Sequence, residues 1–451
     1  MPKKKKALTI EERLQQALVP AEEQPYEVPE NWVWVRLGAV CYASKEKSND
    51  FSNEIKYIGL EHLEKDKGIV GFSSADKVKS TKNAFQEGQI LYGRLRPYLN
   101  KHDIASFSGV CSTDILVFEA SVLVANVLVD KFFNLPFFIE YVVANSKGIN
   151  LPRVSEKTIL NTTFPLPPLS EQQRIVERIE ELFAKLDEAK ERLQEVADSF
   201  AVRKAAILHK AFTGELTKQW RRENGVSDES WEEKKLHEVA FVQTGVMKGK
   251  HYNGETKLLP YLRVANVQDG YLKLDEIKEI AIDVNLIERY SLRKGDVLFT
   301  EGGDYDKLGR GTVWNNEIPG CLHQNHVFAV RPNTSILFDC FLAYQSNSRY
   351  GKKYFLSCSK QTTNLASINS TQLKNFPVLL PSLPEQHEIV RLIDDLLARE
   401  HKAQQATEQV LASIDLMKKS ILARAFRGEL GTNKASEASA LELLKQVLVE
   451  N

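Results

Sequence analysis

The stretch Lys77–Lys101 carries six cations, Lys77, Lys79, Lys82, Arg94, Arg96 and Lys101, against one acid, Glu87. Tyr92 and Tyr98 interleave with Arg94 and Arg96. Ammonium and guanidinium groups of this kind neutralise phosphates, and a planar guanidinium also matches the edge of a base pair. A second set lies further along. "TGVMKGKHYN" offers Lys248, Lys250 and Tyr252, and "GGDYDKLGRG" offers Lys307 and Arg310 on a glycine-rich, close-approach loop. "LHQNH" offers Gln324 and Asn325, whose amides suit two-point contact with adenine. "SKQTTN" supplies Lys360 and Gln361. Any one of these could equally be a solvated surface side chain, and "LHQNHVFAV" could equally be a buried strand with satisfied polar groups.

Other chemistries find little support. No G-x-G-x-x-G follows a strand pattern, and no G-x-x-x-x-G-K-[ST] is present, so neither a dinucleotide nor a nucleoside triphosphate site is evident. "NLPF" (134–137) approaches the [DNS]-P-P-[FY] loop of adenine methyltransferases, but Leu135 stands where the first proline belongs. The five cysteines, at 41, 111, 321, 340 and 358, form no C-x-x-C pair, and no His/Asp/Glu cluster has metal spacing. Reduced thiols fit a cytoplasmic protein. Sixty basic and sixty acidic residues cancel, which argues against indiscriminate coating of polyanions while leaving local patches open. The apolar run Val122–Val143 is broken by Asp130, Lys131 and Glu140, so no membrane span is expected. The "MPKKKK" terminus lacks the apolar core of a signal peptide and reads as a solvated tail.

The elements that must position these residues are written twice. Glu171–Leu216 lies on Glu385–Leu430 without a gap, and 18 of 46 positions are identical. Each copy opens on "EQ" and closes on "AFTGEL" or "AFRGEL". Positions stepping by four and three are mostly apolar: Ile175, Ile179, Leu182, Leu186, Ala189, Leu193, Val196, Phe200 in one copy, and Ile389, Ile393, Leu396, Glu400, Ala403, Thr407, Val410, Ile414, Met417, Ile421 in the other. That is a heptad seam, weakened at Glu400 and Thr407. Ser170 with Gln173, and Ser382 with Glu385, predict capping boxes, and Gly214 and Gly428 predict left-handed helix ends. Each copy is then one helix of about 43 residues, ~65 Å long. Chain connectivity makes the pair antiparallel.

The stretches between the helices echo each other too. "ENWVWVRLGAV" (30–40) matches "ESWEEKKLHEV" (229–239), "KYIGLEHL" (56–63) matches "PYLRVANV" (260–267), "EGQILYGRLRPYL" (87–99) matches "KGDVLFTEGGDYD" (294–306), and "GVCSTDILVFEAS" (109–121) matches "GCLHQNHVFAVRP" (320–332). Short β-branched and aromatic runs between turn residues, followed by helical runs, make each half α+β.

Half, long helix, half, long helix, with "PLPPLSEQQRIV…AFTGEL" recurring as "LPSLPEQHEIV…AFRGEL", resembles the specificity subunit of type I restriction-modification enzymes over about residues 30–430. The resemblance implies an α+β chain with two pseudo-symmetric α/β target recognition domains separated by a pair of long antiparallel coiled-coil helices. Its parts would be an N-terminal helical arm (1–30), a first recognition domain (31–165), a first helix (166–216), a linker (217–230), a second recognition domain (231–380), a second helix (381–430) and a C-terminal tail (431–451). It implies a non-catalytic chain that reads one half of a split site in double-stranded DNA with each domain. It also implies two methyltransferase subunits and endonuclease-translocase subunits as partners. S-adenosylmethionine, ATP and Mg2+ would sit on those partners, with no cofactor in this chain. The amphipathic ends "ALTIEERLQQAL" and "ASALELLKQVLVE" are expected to pack near each other or on a partner. The alternative is a coiled-coil scaffold with no DNA role.

Overall fold

The computed structural model describes residues 9–49, 51–303, 308–361 and 366–450. The lysine-rich terminus and Lys307 lie outside them. Contacts gather the chain into two compact units, residues 1–193 with 409–451, and residues 194–408.

The first unit is built on two sheets. One runs in the order His102–Ile104, Ile90–Gly93, Ile115–Ala120, Cys41–Ala43, all antiparallel. The central strand Ile115–Ala120 is buried almost throughout, which is why it reads as continuous "ILVF" rather than as an alternation. The other sheet holds the parallel pair Lys56–Ile58 and Gly109–Cys111 among antiparallel neighbours. Phe132, Phe133, Phe138 and Phe164 pack together in the unit's core, Phe132 edge-to-face with Phe138 and Phe164, and Phe133 stacked on Phe138.

The second unit repeats the plan. Its main sheet has the order Ala240–Thr244, Val327–Pro332, Val297–Thr300, Gly311–Val313. A second sheet again holds a parallel pair, Thr256–Leu262 with Leu322–His323. Ladder registers correct one alignment. Ile115 faces Gly93 where Val327 faces Thr300, so "GVCSTDILVFEA" corresponds to "CLHQNHVFAVRP", one residue later than matching the phrases suggests. The matching glycines at 109 and 320 conceal the shift.

The long helices run Leu169–Phe212 and Leu383–Ala425, 44 and 43 residues. Within the first unit Asp187 pairs with Lys418 (2.5 Å) and Lys190 with Asp415 (3.2 Å). One number rises as the other falls, so the helices are antiparallel there. In the second unit Arg203 Nε donates to Glu400 (2.7 Å). Gly214 and Gly428 adopt φ of +77° and +73° and close the helices. At Gly428 a Cβ would also stand 2.4 Å from Pro29 Cγ, whereas at Gly431 (φ +75°) it would meet nothing within 4 Å. Gly431→Ala should cost about 1–2 kcal/mol for the left-handed backbone alone. Gly428→Ala should cost measurably more in urea unfolding, and equal costs would deny the Pro29 contact any role.

Three seam residues do not behave as the heptads predict. Val196, Val410 and Met417 are 42, 45 and 47 % exposed. Thr407, a weak point of the heptad pattern, is buried and its hydroxyl donates to Ala403 of its own helix. A straight helix drifts by ~20° per heptad against a 3.5-residue pattern, so a seam written over six heptads leaves the interface unless the pair supercoils. Ile175, Ile179, Ile389 and Ile393 are fully buried. They lie in the unit cores, the first pair beside Leu422, Ala425 and Phe426, the second beside Leu208, Ala211 and Phe212. Phe200 and Ile414 are buried, and Leu182, Leu186, Leu193 and Leu396 half-buried.

Neither capping box forms. The first helix already begins at Leu169, and Gln173 donates instead to Glu177. The "EQ" phrases instead tie each unit together internally. Glu171 is fully buried and accepts from Trp32 Nε1 (2.7 Å), Thr432 Oγ1 (2.9 Å) and Asn433 Nδ2 (2.8 Å). Glu385 is fully buried and accepts from Trp231 Nε1 (3.2 Å), Thr217 Oγ1 (2.7 Å) and Arg221 Nη1 (2.7 Å). Gln172 and Gln386 accept from the main-chain N–H of Ala125 and Phe338. Each carboxylate thus joins the start of one long helix, the tryptophan at the first strand, and the residues just after the "GEL" of the other helix. The terminal helices Ile10–Ala17 and Ala440–Glu450 pack together, with Arg13 Nη1 donating to Leu448 O.

Candidate nucleic-acid interface

In the first unit the cations converge where the chain passes from Ile90–Gly93 to His102–Ile104. Arg94 donates its main-chain N–H to Asp114 O, and its main-chain carbonyl accepts from Val154 N. Leu95 bridges to Arg153, and Arg96 N donates to Pro152 O (2.7 Å). Arg153 Nε and Nη2 form a two-pronged contact to Asp114 at 2.9 and 3.0 Å. That fork holds the Asp114 carboxyl below its usual range, although burial opposes the shift and Arg94 adds to it. Arg94, Arg96 and Arg153 therefore share one edge, with one neutralised acid among them.

Sequence reasoning missed Arg153 and its neighbour Lys147. Both lie on a hairpin closed by Lys147 N to Arg153 O and Arg153 N to Lys147 O. The signal was available: "SKGINL" at 146–151 echoes "SKQTTNL" at 359–365, the stretch that supplies Lys360 and Gln361. The second copy is one residue longer, which hides the match.

Other expected residues fall differently. Tyr92 is fully buried against His102 and Phe133, on the strand Ile90–Gly93, which is buried at every position. Tyr98 is half exposed. Lys101 Nζ donates to Leu60 O (3.0 Å), which ties it to the fold. Lys77 and Lys79 follow Ser73–Ser74, the edge strand of the other sheet, away from this cluster in the ladder.

In the second unit Val246 bridges Gln324, and Asn325 N donates to Val246 O. This sets Gln324 and Asn325 beside the turn carrying the exposed Lys248 and Lys250; the Lys250 ammonium lies 5.3 Å from the Tyr252 ring centre. Lys360 lines a cleft with Glu301, Gly302, Gly303, His326 and Ser367. Arg310 Nη1 donates to Gln268 (2.8 Å), and Gln361 Nε2 caps Leu356 O (3.1 Å). His323 is the buried strand residue of "LHQNH". Its Nδ1 donates to Val327 O (2.6 Å). Desolvation pushes its pKa down to about 4, against the pull of that bond and of Asp296. A folded pKa below the unfolded one keeps the ring neutral. Stability from this site is therefore complete above about pH 6.5 and is lost as pH falls toward 4, by about 3 kcal/mol. Urea unfolding from pH 7.5 down to 4.5 should show a steeper acid loss in the wild type than in His323→Gln; equal slopes would contradict this.

The two units differ in charge at one equivalent place. Arg94 N bonds Asp114 O in the first, and Glu301 N bonds His326 O in the second. Val154 N reaches Arg94 O, and Ile368 N reaches Glu301 O. An arginine thus stands in one unit where a glutamate, held to His326, stands in the other.

Two copies of one mixed-sheet unit each carry cations and amides on their loops, and each is tied to the start of a long helix. The type I restriction modification DNA specificity domain matches this chain twice, at residues 29–198 and 228–411, and the chain belongs to that family. It is 28% identical over 337 residues to the type I restriction enzyme EcoBI specificity subunit of Escherichia coli, covering 70% of each chain. It is 28% identical over 324 residues to the StySPI specificity subunit of Salmonella potsdam, covering 68% of this chain and 69% of that one. Among solved structures it resembles the HsdS subunit from Thermoanaerobacter tengcongensis, with TM-score 0.63 and 22% identity over 90% of this chain and 99% of that one. A chain from a study of type I R-M complex assembly gives TM-score 0.66 and 23% identity over 90% of this chain and all of that one. No helix among the described residues is long and apolar enough to cross a membrane.

Proposed function

We propose that this chain is the DNA-reading subunit of a type I restriction-modification complex, and that each unit reads one half of a split duplex site. The observation that carries this reading is the specificity domain matched twice, on two units whose main sheets share one strand order. The halves of the site differ, because arginine in one unit stands where glutamate stands in the other. Phosphate contacts come from Lys79, Lys147, Arg153, Lys248, Lys250 and Lys360, with Lys77 and Lys307 as further candidates. Base-edge contacts come from Arg94, Arg96, Arg310, Gln324, Asn325 and Gln361, with Tyr98 beside them. Lys101 holds the first loop.

The paired helices set the distance between half-sites. At 1.5 Å per residue each is ~65 Å long, enough for groove faces one turn, about 34–36 Å, apart with room for the units. The chain itself does no chemistry. It docks two methyltransferase subunits and then endonuclease-translocase subunits in the cytoplasm. S-adenosylmethionine, ATP and Mg2+ belong to those partners. A methyltransferase partner must flip the target adenine out of the stack, a step the specificity chain supports by holding the flanking duplex.

Binding of the assembled methyltransferase to a duplex pool, measured from 50 to 300 mM salt, tests the reading. A steep fall in affinity with salt is expected, since each phosphate contact adds ~0.9 to the log–log slope. A flat dependence would favour the coiled-coil scaffold.

A further inference from the structure

Four non-glycine residues among those described have positive φ, and two of them bracket one turn: Arg96 (φ +53°) and Asn100 (φ +43°). Between them Pro97–Leu99 form a single 3-10 turn with Tyr98 at its tip. Arg96 is left-handed and precedes a proline, a combination that side chains disfavour. Such a conformation persists only where the surroundings impose it, and it is found at ligand clamps and switch regions.

The surroundings here are a buried polar cluster. Asn100 and His102 are 8 and 9 % exposed, and Asp130 is 7 %. His102 Nδ1 donates to Asp130 Oδ1 (2.6 Å). Asn100 Nδ2 donates to Phe133 O (3.0 Å) and lies 3.2 Å from His102 Nε2. Asn134 Oδ1 lies 3.3 Å from His102 Nε2, and its Nδ2 donates to Asp130 O (3.2 Å). The Tyr92 hydroxyl is buried beside them with no partner among the described residues. Replacing a buried polar pair by apolar residues of similar volume is often neutral or stabilising, so stability alone is a weak account of this cluster. What the cluster does fix is Asn100, the far end of the turn, while Pro152 O fixes Arg96 N at the near end. Between the two anchored ends Arg96 and Tyr98 are exposed, and no side-chain hydrogen bond from the described residues holds either.

We propose that the Arg96–Asn100 turn is the preset specificity-determining element of the first unit. Arg96 and Tyr98 touch the base pairs, and Asn100, His102, Asp130 and Asn134 act as positioning residues that hold the turn strained before DNA arrives. This rests on the DNA-reading function and deepens it. A rigid tip loses little freedom on binding and meets a wrong base without adapting, which turns a contact into discrimination. The second unit carries Tyr305 at the matching place in its sequence, outside the described residues.

The test is a methylation map from cells expressing the complete methyltransferase with each variant. Tyr98→Ala and Arg96→Gln should relax one or two positions of a single half-site, with at least a tenfold loss of preference there, and leave the other half-site sharp. Asp130→Ala and Asn100→Gly should relax the same positions. Asn100→Gly keeps the left-handed backbone available but removes the anchor, and Asp130→Asn, which retains a hydrogen-bond acceptor, should restore much of the preference. Uniform loss of methylation at an unchanged motif would assign Arg96 and Tyr98 to phosphate contact. Unchanged motifs in the Asp130 and Asn100 variants would make the cluster purely structural. Either outcome overturns the proposal. If the wild-type complex gives no split motif at all, the DNA-reading function fails instead.

Discussion

Replacing Arg221 with alanine should lower the stability of the second unit by about 3–5 kcal/mol. Arg221 is 5 % exposed, and its guanidinium serves four acceptors: Glu385 (2.7 Å), Asp228 (3.1 Å), Thr217 Oγ1 (3.0 Å) and Gly214 O (2.7 Å). Its removal leaves Glu385 charged and fully buried, with Oε2 already lacking a partner among the described residues. The cost is that of the orphaned charge, so Arg221→Met combined with Glu385→Gln should recover much of it. Urea unfolding followed by tryptophan fluorescence reads both variants, and a single mutant no less stable than the double would refute the argument. The first unit offers a contrast. Glu171 takes only neutral donors, Trp32, Thr432 and Asn433, so Thr432→Ala should cost about 1–3 kcal/mol by the same measurement.

The second large effect is on DNA. Changing Arg94, Arg96 and Arg153 together to alanine should weaken binding of the assembled methyltransferase by ~100-fold or more, from about 1–3 kcal/mol per contact. It should also reduce the salt slope by ~0.9 for each phosphate that is no longer neutralised. The fold should survive, because Arg96 is exposed and the Asp114 left behind is partly exposed. Methyltransferase subunits should still assemble on the variant, as gel filtration would show. Failure to assemble would mean that the arginines are structural.

The architecture was legible because it is written twice. A 46-residue repeat with fixed phrases at both ends needs no structural knowledge to be read as two equivalent helices. What each phrase does was not legible. "EQ" resembles helix-start chemistry, yet the glutamate is satisfied by partners as many as 262 positions away, at Asn433. Local rules describe caps, and they cannot see a contact closed by the fold. The seam at Val196, Val410 and Met417 failed for a related reason, since a periodic pattern does not reveal which of its positions the fold leaves exposed. In the interface, Arg94 and Arg96 stand out by charge, but Arg153 arrives from far along the chain, through pairings with Leu95 and Asp114 that only the fold closes. Composition also could not separate Tyr92 from Tyr98, because the first sits on the wholly buried strand Ile90–Gly93 and the second on the Pro97–Leu99 turn.

Mapping N6-methyladenine by long-read sequencing, in a host that expresses this chain with its neighbouring methyltransferase and in one that lacks only this chain, tests the central claim most directly. The account predicts a split, asymmetric motif methylated on both strands and present only with this chain. A methyltransferase proven active whose motifs do not depend on this chain would contradict it.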